Sequence, residues 1–237
     1  MRPRVGVYGG TFDPVHTGHL QVAQAVCHAF ALDEFLFVPA FIPPHKRARQ
    51  ISAPHHRYAM LVLATMSETT MRVSPVEIEA PARPYTIETL ARLQAAAPQS
   101  QLFFLMGADS FAEVTTWREH ERLLNEYDII VAGRPGYGER ATLTDLTEHL
   151  PSSARARVVD LRGGLEPDSG GFAVPRVYLT DYVAAGVAST QVRAAARQGG
   201  QVSELVPAAV ADYLAKYGLY RNNERNDCSE PNHSSVH

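Results

Sequence analysis

Two histidines three residues apart, His16 and His19, stand between a paired glycine, Gly9-Gly10, and a long Ala/Val/Gln run with helical spacing. A short apolar segment, Val5–Tyr8, leads into the glycines. Strand, glycine turn and helix start is the order in which an α/β protein presents backbone N–H groups to a phosphate. Gly9 and Gly10 lack a Cβ, so a ligand can come close to the main chain there. Residues three apart at a helix start share a face, so the imidazoles of His16 and His19 can reach one group. Amide donors and two imidazoles around one point suit a polyphosphate undergoing transfer.

Other residues carry weaker chemistry of their own. His-x-x-His is also half of a zinc site, but zinc takes three or four protein ligands with supporting partners. His45, His55 and His56 lie in another segment without ligand spacing, so no metal ligand is assigned. In Pro43-Pro44-His45-Lys46 the prolines stiffen a loop and reduce the entropy lost in placing Lys46. A loop lysine by itself is usually just solvated. Ala188-Ser189-Thr190-Gln191-Val192-Arg193 opens a helix that Ser189 or Thr190 can cap. Arg193, within the first turn, opposes the helix dipole and asks for an anionic partner; the plainer alternative is an arginine facing solvent. Asp109, after Gly107, is at its simplest an N-cap. A lone tryptophan such as Trp117 is most often core packing, though Thr115-Thr116-Trp117-Arg118 is a polar setting for one.

These groups need a frame. Apolar, strand-like runs recur at Val5–Tyr8, Phe35–Val38, Leu102–Met106, Ile129–Ala132 and Val177–Leu179. Helical patterns lie between and after them at about 18–31, 54–66, 86–97, 118–125, 189–198 and 207–217. The alternation predicts an α/β, Rossmann-like, doubly wound parallel sheet with helices on both faces, forming one domain over residues 1–220. Short, continuous apolar strands are what a sheet covered on both faces requires. Ligands of such sheets bind beyond the carboxyl ends of the strands, where the Gly9-Gly10 and Gly107-Ala108-Asp109 turns would meet. Residues about 136–174, with Gly163-Gly164 and Gly170-Gly171, are expected as an irregular surface excursion, and 221–237 as a disordered polar tail.

Composition excludes several classes. The chain has 237 residues, 45% hydrophobic and 20% charged, enough for one sizeable core. A net charge of −3 gives no nucleic-acid footprint. Two cysteines, Cys27 and Cys228, make no disulfide framework. With no apolar run near the ~18–20 residues of a membrane span and no leader-like start, no membrane association and a cytoplasmic location are expected.

His16-Thr17-Gly18-His19 resembles the (H/T)xGH signature of the nucleotidyltransferase superfamily. The longer string from Gly9 to Leu20 resembles the nicotinate-nucleotide adenylyltransferases in particular. Four residues recur by chance; twelve in the right strand-to-helix context are specific. The resemblance extends in order over residues 5–220, through the Pro43-Pro44-His45-Lys46 loop, Tyr85-Thr86-Ile87-Glu88-Thr89-Leu90, the Gly107-Ala108-Asp109 turn, Trp117-Arg118, Arg134-Pro135-Gly136 and the Ser189–Arg193 helix start. It departs at Ala188, where the family has a serine, and at Arg83-Pro84.

The resemblance implies ATP and nicotinate mononucleotide as substrates, with nicotinate adenine dinucleotide and pyrophosphate as products and Mg²⁺ entering with ATP. ATP would meet Gly9, Gly10, Thr11, Phe12, His16, His19, Gly107, Asp109, Ser189, Thr190 and Arg193. The mononucleotide would meet Lys46, Tyr85, Thr86, Trp117, Arg118 and Arg134, with Arg134 equally readable as a phosphate ligand or a surface residue. His16, His19, Lys46 and Arg193 would carry the catalysis, His19 on the α-phosphate. No nucleophile-base triad is recognisable, which suits a direct displacement. Rival readings keep the reaction but change the acceptor to nicotinamide mononucleotide, phosphopantetheine or a cytidylyl acceptor. A more distant rival is a non-catalytic nucleotide binder on this fold, which would typically lack His19, Lys46 or Arg193, all present here.

Overall fold

The computed structural model describes residues 2–41, 51–133, 142–167, 174–182 and 186–221. In chain order the elements are β1 (Arg4–Gly10), α1 (Thr17–Ala29), β2 (Glu34–Pro39), α2 (Pro54–Thr65), β3 (Met71–Val73), α3 (Thr86–Ala96), β4 (Gln101–Gly107), α4 (Ala108–Ala112), α5 (His120–Glu126), β5 (Asp128–Ala132), α6 (Leu143–Thr147), α7 (Ser152–Arg155), β6 (Val158–Asp160), β7 (Val177–Leu179), α8 (Ser189–Arg197) and α9 (Ala208–Tyr217). A 3₁₀ turn, Val114–Thr116, separates α4 from α5.

The seven strands form one sheet in the order β3-β2-β1-β4-β5-β7-β6, and every pairing is parallel. From β1 the chain winds outward through β2 to β3, then returns to lay β4 on the other side of β1. The β1/β4 boundary is therefore the point where the winding reverses and the loops diverge, leaving a crevice. Register places Tyr8 opposite Leu105, and Gly107 opposite Ala132. The carboxyl ends of β1, β4 and β5 thus share one rim.

Alternation along β4 sorts its side chains between two cores, as the pleat demands. Phe103 and Leu105 join Val22, Val26, Met60, Leu61, Val192 and Val210 beneath α1, α2, α8 and α9. Leu102, Phe104 and Met106 join Ile87, Leu90, Leu93, Phe111, Leu123 and Leu124 beneath α3, α4 and α5. A Cβ on Gly6 would meet the Phe35 ring at 2.5 Å, so β1 carries a glycine where strand and ring approach most closely.

The parallel, doubly covered sheet agrees with the sequence reading, as do its five strands and six helices to within three residues at either end. The departures lie in short elements. β3 and β6, of three residues each, go unread because so few residues show no period. The stretch about 136–174 is less irregular than expected. Its described part carries α6, α7 and β6, and buries Leu150, Ala154 and Leu161. Leu150 and Ala154 complete the core beneath α3–α5, and β6 extends the sheet beyond β7. Residues 222–237 of the expected tail lie outside the described residues.

Candidate active site

The segment Thr11–Pro14 leaves β1 and enters α1, and neighbouring elements hold it by its carbonyls. The Arg57 guanidinium of α2 donates to Thr11 O at 2.7 Å. Arg193 Nη1 of α8 donates to Asp13 O at 2.6 Å, and Ser189 Oγ donates to Pro14 O at 2.9 Å. Asp13 is itself buried, and its Oδ1 accepts from Ser52 N–H at 3.2 Å and from the Tyr220 hydroxyl at 2.6 Å. Buried polar oxygens need such donors, since one left without a partner is costly.

Two residues on, His16 caps α1 with extended backbone. Its N–H donates to His19 Nδ1 at 3.2 Å. The two rings stack with centroids 3.6 Å apart and planes 27° from parallel. Because Nδ1 of His19 accepts, the ring proton of the neutral imidazole sits on Nε2, so that nitrogen is a donor. Phe12 packs edge-on against His19 at 5.0 Å and Tyr8 at 6.0 Å, fixing the ring from the strand side.

The structure corrects several single-residue expectations. The first helical N–H of α1 is taken within the protein, since Thr17 N–H donates to Leu205 O at 3.0 Å and Thr17 Oγ1 to the same oxygen at 3.2 Å. That amide is therefore not open to an anion. Gly10 also makes room for Phe12, because a Cβ there would lie 2.9 Å from that ring. A Cβ on Gly9 would find only Phe104, at 3.6 Å. Phe12 holds a left-handed backbone, φ 46°, and its ring is buried, so any ligand contact runs through its main chain. Neither Ser189 nor Thr190 caps α8. Ala188 occupies that position with Gln191 Oε1 accepting from its N–H at 2.7 Å, while the Ser189 hydroxyl is used across the chain. Arg193 falls at the fifth residue of α8, just past the first turn. Gly107 is the N-cap of α4, which leaves Asp109 exposed one residue inside the helix.

Tyr85, Thr86, Trp117 and Arg118 gather on the other face of the same rim. Thr86 is the first residue of α3, behind Tyr85 as N-cap. Tyr85 N–H is already satisfied by Glu88 Oε2 at 3.0 Å. The Arg118 guanidinium lies 4.7 Å from the Tyr85 ring centroid. Trp117 is half-buried edge-on against Phe104, with ring centroids 6.4 Å apart. Phe104 is thus the link between this cluster and Gly9. Lys46 and Arg134 lie outside the described residues. Among the described residues, no group of three or more His, Cys, Asp and Glu side chains could hold a metal. Cys27 is part-buried on α1, and burial pushes its thiol up to about 11, which keeps it a poor nucleophile.

Sequence reasoning missed Asp13, Ser52, Arg57 and Tyr220. A signal for Arg57 exists: it stands three and four residues before Met60 and Leu61, on the apolar stripe of α2.

The cytidylyltransferase-like family model matches residues 7–195. A probable nicotinate-nucleotide adenylyltransferase of Desulfitobacterium hafniense (strain Y51) is 35% identical over 92% of this chain and 96% of its own. Another, from Corynebacterium jeikeium (strain K411), is 37% identical over 91% of this chain and all of its own. The chain belongs to the nicotinate-nucleotide adenylyltransferases. Its backbone also overlays the Plasmodium falciparum nicotinic acid mononucleotide adenylyltransferase complexed with NaAD. That match has a TM-score of 0.67 at 17% identity, over 92% of this chain and 97% of the other, a likeness of fold. In this member of the family, α8 is tied to the turn before the stacked histidines, and Trp117 packs on Phe104 beside Gly9.

Proposed function

We infer that this protein transfers the adenylyl group of ATP to nicotinate mononucleotide, giving nicotinate adenine dinucleotide and pyrophosphate in NAD biosynthesis. One observation carries the reading. His19 accepts its own helix-cap amide at Nδ1 and so has its proton on Nε2, beside a turn pinned by Arg193 and Ser189. A donor fixed in this way costs little reorganisation when negative charge builds on a transferring phosphate.

In the proposed mechanism a phosphate oxygen of the mononucleotide attacks the α-phosphorus of ATP in line. One P–O bond forms as the bond to pyrophosphate breaks, with no covalent enzyme intermediate. Phosphate is already a competent nucleophile at neutral pH, so positioning and charge neutralisation suffice. His16 and His19 donate to the triphosphate, His19 to the α-phosphate, and Lys46 and Arg193 neutralise the outgoing pyrophosphate. The main chain of Gly9 to Phe12 and the Ser189-Thr190 start of α8 line the phosphates, while Gly107 and Asp109 face the nucleoside. Tyr85, Thr86, Trp117, Arg118 and Arg134 hold the mononucleotide, the indole stacking on its ring. Mg²⁺ enters with ATP, held by phosphate oxygens and water, as that ion commonly is. A cytoplasmic location and substrates limited to these nucleotides, with no nucleic acid or membrane partner, complete the proposal. Among the described residues no helix is long and apolar enough to cross a membrane.

The test is pyrophosphate release with ATP and a panel of acceptors: nicotinate mononucleotide, its amide counterpart, phosphopantetheine and a cytidylyl acceptor with CTP. The acid is expected to be turned over fastest. Preference for the amide would overturn the roles given to Thr86 and Trp117.

A further inference from the structure

The most fully buried charged side chain among the described residues lies outside the groups assigned to substrate. Arg57, 0% exposed, spends its fork on four carbonyl oxygens from three separate segments. Nη1 donates to Thr11 O at 2.7 Å, and Nη2 to Ala40 O at 2.5 Å and Phe41 O at 3.0 Å. Nε donates to Ser52 O at 3.0 Å. Ser52 passes the connection on, because its N–H donates to Asp13 Oδ1. Tyr220, 207 residues away in sequence from Asp13, donates its hydroxyl to the same oxygen at 2.6 Å. Tyr220 itself holds a left-handed backbone, φ 65°.

This is an expensive way to fill a core position. Arg57 shares the α2 stripe with Met60, Leu61 and Ala64, all buried. A Met there would pack without desolvating a charge, so a buried cation is weak evidence for stability. What a guanidinium supplies, and no apolar side chain can, is several donors in one rigid plane. Those donors set Thr11, where the phosphate turn begins. Tyr220 and Ser52 set Asp13, three residues before the His16 N–H that orients His19. We propose that Arg57 and Tyr220 are positioning residues, fixing the Thr11–Pro14 turn through its Thr11 carbonyl and its Asp13 carboxylate so that the His16–His19 pair meets the reacting phosphate. The proposal rests on the adenylyl-transfer reading above and adds to it two residues that touch no substrate.

The experiment compares Tyr220→Phe, Arg57→Lys and Arg57→Met with Leu61→Ala. Leu61 is equally buried on the same helix but lies outside the node. Thermal midpoint, amide hydrogen exchange over residues 11–20, and kcat and KM for each substrate are measured on the full chain. Tyr220→Phe removes one hydroxyl and is expected to stay folded. It should speed exchange over 11–20 and lower kcat by about tenfold, with KM for the mononucleotide within about twofold. A misplacement of ~1 Å can cost ~10²-fold, so Arg57→Lys should lose about 10²-fold, its retained charge giving no rescue. Leu61→Ala should lose stability yet keep kcat within about twofold while folded. The proposal is overturned when a folded Tyr220→Phe keeps both kcat and exchange at wild-type values, or when Leu61→Ala lowers kcat as much as the node variants do. Should Arg57 variants fail to fold, Tyr220→Phe decides. Wild-type protein inert towards ATP and nicotinate mononucleotide would refute the reaction, while the exchange measurement would still decide the positioning role.

Discussion

The turn after β1 and the turn before α3 lie on opposite faces of one rim, and they are built from different materials. Around the first, Asp13 and His16 are buried, and three of the four carbonyls from Thr11 to Pro14 accept a side-chain donor from α2 or α8. Around the second, Tyr85 is 51% exposed and the Arg118 side chain 55% exposed. Arg118 holds an exposed ring and a 3.8 Å contact to Glu119. A pinned turn suits the chemistry common to every triphosphate, where sub-ångström placement controls rate. An exposed cluster suits choice of acceptor, where side chains exchange at low cost to the fold. Substitutions on the first side should therefore act on kcat, and those on the second on KM for the acceptor.

The largest effect tests the first side directly. His19→Ala should fold normally and lose roughly 10²–10⁴ in kcat, the range for a positioned donor to developing charge. A loss below about tenfold in steady-state assays would take His19 out of the transition state. Next comes Arg193→Ala, which removes a cation and also the donor on Asp13 O. It should lower kcat by about 10–10², with Arg193→Lys recovering part of it. Equal loss in both variants would mean that docking of α8, and not charge, is what Arg193 supplies.

The second side predicts the opposite signature. Trp117→Ala should raise KM for the mononucleotide about tenfold, consistent with loss of one stacking partner worth ~1 kcal/mol or somewhat more, and leave kcat and KM for ATP within about twofold. A fall in kcat with unchanged KM would instead show that Trp117 works through its contact with Phe104, and the division between the two faces would fail.

Much of this division is legible in the sequence, for reasons particular residues make clear. Gly9-Gly10 and Gly107 end their strands at one rim, and Pro54 and Gly218 mark helix limits. Alternation between two faces is invisible in so apolar a run as Leu102–Met106, yet its continuous apolar character identifies a doubly covered strand, and all five residues are buried. What stays hidden is long-range. Nothing near Tyr220 announces that its hydroxyl reaches Asp13, and nothing near Leu205 announces that it accepts from Thr17. The caps illustrate the same limit: Ser189 looks like a cap by residue type, but Pro14 O competes for its hydroxyl and wins.

The smallest effect concerns a second residue, besides Phe104, that connects the two sides. Glu77 accepts from Thr89 Oγ1 of α3 at 2.8 Å and from the backbone of Phe41, the residue Arg57 also holds. Burial raises its carboxyl above the ordinary glutamate value, outweighing these two hydrogen bonds and the fields of Arg83 and Arg57. A group whose folded value is raised holds its proton more tightly folded than unfolded. Its contribution is therefore most favourable at low pH and diminishes as pH rises through the folded value. Glu77→Gln keeps an acceptor for Thr89 and abolishes the titration, so its thermal midpoint should decline less than that of wild type between the ordinary glutamate value and neutrality. Parallel midpoint profiles for the two proteins would mean that Glu77 stays ionised across that window. If the faces are coupled through this carboxylate, Glu77→Gln should also shift KM for the mononucleotide by about twofold, well below the Trp117→Ala effect, as expected for the loss of one partly compensated hydrogen bond.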